Sequence, residues 1–94
     1  MSEPDRIERY RIEVGSKAAK YISKLDKPTR ERIKQAFDEL SKDPINHSGE
    51  VVNSDPPARS CRVGGYRMII YIDNKDHVVL ISKAGPRGQI YDRV

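Results

Sequence analysis

The sequence predicts a small α+β domain, an α-hairpin packed on one face of a twisted antiparallel sheet, in the order β-α-α-β-β-β. Three observations carry that prediction. An early stretch alternates polar and apolar residues. Two stretches after it place apolar residues at helical spacing on either side of a proline break. Three later strand-like runs are then separated by tight turns.

Each element has its own local reason. In RIERYRIEV, Tyr10, Ile12 and Val14 point one way and Arg9, Arg11 and Glu13 the other, the pattern of a strand with one wet face. GSKAAKYISKLDK spaces Ala18, Tyr21, Ile22 and Leu25 as a helical stripe, with Ser16 as the expected N-cap. LDKPT breaks that helix, and Pro28 suits the first turn of the next. There Ile33, Ala36, Phe37 and Leu40 recur at i, i+3, i+4 and i+7, and the helix is expected to stop before Pro44. PINHSGEVVNSDPP is turn-rich and reads as an irregular connection. ARSCRV, YRMIIYI and HVVLISKA then form a meander around a Gly64-Gly65 hairpin turn and a second turn at Asp73–Asp76. The middle run is apolar on both faces apart from Arg67, as a central strand requires.

The 94 residues are expected to form one domain, 1–94, with residues 1–6 a flexible extension. A chain this short buries about two-thirds of its unfolded surface, so its core is small. The start, MSEPDRIERY, is too polar for a signal peptide and no apolar run could span a bilayer, so the expected location is cytoplasmic, with no membrane partner. Cys61, the single cysteine, cannot form an internal disulfide, which agrees with that compartment. No residue spacing suggests a metal site or a nucleotide loop, so no metal or small-molecule cofactor is expected.

Charge is unevenly placed. Residues 1–57 hold 11 Lys/Arg against 11 Asp/Glu, whereas residues 58–94 hold 7 against 3, so the second part carries the whole net charge of +4. A localised basic patch is an electrostatic footprint for a polyanion. The hairpin sharpens this. With Gly64-Gly65 as its loop, Val63 opposes Tyr66 and Arg62 opposes Arg67, and opposed residues project from one face about 5 Å apart. The following strand returns Ser82-Lys83 to the same end, where the Gly-Pro turn carries Arg87, with Tyr91 four residues on. Arg62, Arg67, Lys83 and Arg87 are therefore expected to converge. Cys61 reads as a small core residue on the opposite face, and His47 and His77 as surface residues.

Guanidiniums and a phenol, without paired carboxylates, suit a phosphodiester. Arginine clamps phosphate and stabilises charge growing on its oxygens. RNA supplies its own nucleophile, the 2′-hydroxyl, so cleavage needs in-line positioning, a proton acceptor, a proton donor and charge neutralisation. Free Tyr and Arg titrate far above neutrality, which makes both weak acids and bases at pH 7.

The order of elements, the hairpin RVGGYRMIIYI and the ending SKAGPRGQIY resemble the RelE/ParE toxin superfamily, specifically its RelE-like branch, over residues 9–91. The resemblance implies a toxin of a type II toxin–antitoxin pair that cuts mRNA in the ribosomal A site, leaves a 2′,3′-cyclic phosphate, and is neutralised by a cognate antitoxin. It implies transition-state stabilisation by Arg67, phosphate ligation or proton donation by Arg87, and stacking or orientation of substrate by Tyr91. Arg62, Lys83 and Arg59 are the expected RNA contacts. Two positions depart from the family pattern: Ser60 stands where a basic residue is frequent, and Pro86 where histidine is common. Two other readings stay open within the same fold, a ParE-like inhibitor of DNA gyrase and a catalytically weak RNA-binding or repressor component.

Overall fold

The computed structural model describes residues 9–51 and 54–86. The expected 1–6 extension, Arg87 and Tyr91 lie outside the described residues. The elements are β1 (Arg11–Val14), α1 (Ser16–Ser23), α2 (Lys27–Lys42), β2 (Gly49–Glu50), β3 (Arg59–Val63), β4 (Tyr66–Asp73) and β5 (Val78–Pro86). The strands form one sheet in the order β1-β5-β4-β3-β2, with two helices packed against it. The α+β class and the α-hairpin are as the sequence predicts.

Three local expectations change. The sheet is mostly antiparallel rather than wholly so, because β1 lies parallel to β5, with Arg11 opposite Val78 and Val14 opposite Ile81. No tight turn joins these two strands: two helices and three strands lie between them, and so long a connection permits parallel pairing. The polar connection contains β2, whose Gly49 and Glu50 pair with Ser60 and Arg59. At α1 the N-cap is Gly15, not Ser16, which is the first helical residue and makes no capping bond. Gly15 donates its N–H to the Ile81 carbonyl at 2.8 Å. A Cβ there would stand 3.3 Å from that same oxygen, so β1 leaves the sheet in a passage fitted to glycine.

The core lies between sheet and helices. Ala18 from α1 and Ile33, Ala36 and Leu40 from α2 meet Cys61, Val63, Met68, Ile70, Val79 and Ile81. Val79, Ile81, Met68 and Ile70 are fully buried. Each such side chain contributes roughly 1.5–3 kcal/mol relative to exposure. Packing of the predicted stripe on α2 therefore anchors the very strands whose opposite face carries the arginines.

Candidate functional site

The β3–β4 hairpin sets the site. Gly64 has a φ of +59°, a backbone state that L side chains rarely adopt, so glycine there lets the chain reverse in two residues. The register that follows pairs Val63 with Tyr66, Arg62 with Arg67, Cys61 with Met68 and Ser60 with Ile69. Because side chains alternate, Cys61 and Met68 face the core while Ser60, Arg62 and Arg67 share the other face. Arg62 is exposed and Arg67 half-buried. Nη1 of Arg67 donates to Oγ of Ser60 at 3.3 Å.

Lys83 joins this face through an irregularity. Along β4–β5, Ile70 pairs with Ile81 but Ile69 pairs with Lys83, so Ser82 is an extra, bulged residue. Without the bulge Lys83 would share the core face of Val79 and Ile81. With it, Lys83 stands on the face of Arg67, two pairs inward from Gly85, which lies directly opposite Arg67. The strand ends with Pro86 opposite Tyr66, at the hairpin mouth.

An open hollow of about 450 Å³ lies at this edge, lined by Asn46, His47, Ser48, Gly49, Ser60, Arg62 and Arg67. The set brought together is thus Arg62, Arg67 and Ser60, with Lys83 beside them on the sheet. Arg59, grouped with them from sequence, stands elsewhere. Two residues from Cys61, it shares the helix-side face, and its guanidinium holds the loop before β2. Nε donates to Ser48 Oγ at 2.7 Å, and Nη2 to the carbonyls of Ser48 at 3.0 Å and Ile45 at 3.2 Å. Its observed work is to position that loop.

The remaining candidates sort cleanly. Cys61 is buried in the core, and burial together with the nearby Glu39 carboxylate raises its thiol pKa, so it is held as a neutral thiol. His77 sits in the β4–β5 turn against the Tyr10 ring, with centroids 4.8 Å apart. His47 is exposed in the loop before β2, as the sequence predicts, and that loop also carries it to the wall of the hollow. The one signal available is its place two residues before Gly49, which pairs with Ser60 of β3.

The site is thus a basic face, with Arg62, Arg67 and Lys83, on a small α+β scaffold. The sequence profile described as the ParE toxin of the type II toxin–antitoxin system parDE matches residues 9–91, and the chain belongs to that family. Among solved structures, the archaeal RelE–RelB complex from Pyrococcus horikoshii is similar with a TM-score of 0.76 and 26% identity, over 86% of this chain and 98% of that one. The RelBE2 toxin–antitoxin complex from Mycobacterium tuberculosis has a TM-score of 0.75 at 24% identity, covering 88% and 97%. The intact RelBE complex of E. coli has a TM-score of 0.71 at 23% identity, covering 82% and 95%. The last two speak to the fold alone. No curated protein sequence matches. Family and fold together make this a toxin of a type II toxin–antitoxin system with a RelE-like architecture. No helix among the described residues is long and apolar enough to cross a membrane.

Proposed function

We propose that the chain is an endoribonuclease that cuts mRNA on the ribosome in the cytoplasm and is neutralised by a cognate antitoxin. One observation carries this reading: Arg62 and Arg67 are directly opposed on one face, with Ser60 and an open hollow beside them. Two like charges in that position repel each other, and an anion between them relieves the cost. A phosphodiester is such an anion. With the 2′-hydroxyl as nucleophile, the reaction needs no metal-bound water. The 2′-oxygen forms a bond to phosphorus, the bond to the 5′-oxygen breaks, and a 2′,3′-cyclic phosphate remains. In this reading Arg67 neutralises charge growing on the phosphate, while Arg62 and Lys83 hold the strand. Arg87 and Tyr91 take the phosphate-ligand and base-stacking parts that the family resemblance implies. The antitoxin comes from the similar complexes, whose toxins are solved with RelB.

The matching profile is named for ParE, and that favours a second reading, inhibition of DNA gyrase. One comparison separates the two. Expression in a bacterium with primer-extension mapping should show new mRNA 5′ ends within translated frames. Chromosomal breaks with intact mRNA would establish the gyrase reading instead, and neither effect would leave a binding component.

A further inference from the structure

We infer that His47 is a catalytic proton acceptor of this site, taking the 2′-hydroxyl proton; the inference rests on the ribonuclease reading. The arginines bring charge to the hollow but no group that exchanges protons readily at neutral pH, and Ser60 brings only a hydroxyl. His47 is the one imidazole among the described residues lining that hollow. Imidazole is a side chain chemically suited to general acid–base transfer.

Its backbone is fixed from several directions. Asn46 Nδ2 donates to Asp43 Oδ2 at 2.6 Å, and Ser48 Oγ donates to the Pro44 carbonyl at 2.6 Å. Arg59 clasps the same loop through Ser48 and Ile45. Two residues after His47, Gly49 pairs with Ser60, which in turn accepts from Arg67. The backbone that carries His47 is thus tied, through loop and strand, to the arginine proposed to steady the phosphate. Its side chain is 42% exposed, so substrate can reach it.

The charged groups around it are arranged asymmetrically. From α2, Glu39 Oε1 faces Nδ1 at 3.9 Å. From β3 and β4, Arg62 and Arg67 line the hollow, and Arg59 lies behind the loop. Glu39 stabilises the imidazolium formed when the proton is taken, while the arginines oppose it until the phosphate neutralises them. With Nδ1 turned to the carboxylate, Nε2 remains to receive the proton. As that proton moves to Nε2, the 2′-oxygen bonds to phosphorus and the 5′-oxygen departs, protonated by water.

The test uses the full chain with ribosomes carrying a short mRNA, under single-turnover conditions. His47→Ala should cut on the order of 10²-fold more slowly. Added imidazole should restore part of the rate in His47→Ala but not in Arg67→Ala. His47→Gln, which keeps polarity and volume, should behave like His47→Ala, and thermal melts should show both folded. Wild-type rates in either folded variant would overturn this inference alone. A wild-type protein that cuts no RNA during translation would overturn the ribonuclease reading, and this role with it.

Discussion

Arg62 and Arg67 stand directly across the β3–β4 ladder, one exposed and one half-buried, on the face away from the core. Like charges so placed are destabilising by roughly 0.2–1 kcal/mol, so the pair is held in the folded state against its own repulsion. Arg62→Ala should therefore raise the thermal midpoint slightly while weakening RNA binding. Losing one phosphate contact should flatten the plot of log affinity against log salt by nearly one unit. Titration of RNA binding across a salt series reads this directly, and an unchanged slope would mean that Arg62 is only solvated.

Lys83 reaches the same face because Ser82 is bulged, and this carries a prediction about charge position. Lys83→Glu should weaken RNA binding more than Lys75→Glu. The two substitutions change net charge equally, but Lys75 lies in the β4–β5 turn at the far end of the strands. Equal losses would indicate that only overall charge matters and that the face built by the bulge does not.

The core thiol makes a prediction about alkaline pH. Burial first, and then the Glu39 carboxylate, raise the pKa of Cys61 above its ordinary value of 9.0. The folded state therefore holds this proton more tightly than the unfolded state does. The resulting stability is fully present below about pH 9 and declines as pH rises through the raised value. Cys61→Ala should remove part of the alkaline loss seen in denaturant titrations at pH 8 and pH 10. In the native protein, thiol reagents should modify Cys61 only at the rate of unfolding. Rapid modification of the folded protein would contradict the buried placement.

Legibility from sequence followed the strength of local constraints. Gly64-Gly65 between two strand-like runs specified a hairpin, and a hairpin loop sets register, so the Arg62–Arg67 pairing could be read residue by residue. Nothing comparable marks Ser82 as a bulge, so the facing of Lys83 needed the structure. β2 is only a two-residue edge strand in a turn-rich segment, too short for alternation to show. Without it, the approach of His47 to the arginines was hidden as well. Arg59 is among the expected RNA contacts, but strand alternation puts it on the face of Cys61, where it holds a loop. The parallel pairing of β1 depends on where the chain returns after the helices, which no local pattern encodes. Arg87 and Tyr91 fall outside the described residues, and their roles rest on the resemblance alone.

The sharpest test is Arg67→Ala, expected to abolish toxicity without unfolding the protein. Arg67 is half-buried, and its shown side-chain bond goes to Ser60 at 3.3 Å, a long contact. Truncation loses that bond and some packing but also relieves repulsion with Arg62. The net change should stay within about 2 kcal/mol, since single hydrogen bonds contribute roughly 0.5–1.5 kcal/mol. The catalytic effect should be far larger in consequence. A preorganised donor aimed at charge that grows only in the transition state typically contributes about 10²–10³ in rate. Arg67→Lys keeps the charge but not the planar fork, and should recover RNA binding more fully than cleavage. The measurements are growth on induction, primer extension of cellular mRNA, and a thermal melt of each purified variant. A folded Arg67→Ala protein that still arrests growth and cuts at wild-type rates would remove Arg67 from the chemistry. A melt far below wild type would make it a structural residue, because a half-buried side chain at the hairpin end of the sheet loses little packing unless its guanidinium is holding the hairpin together.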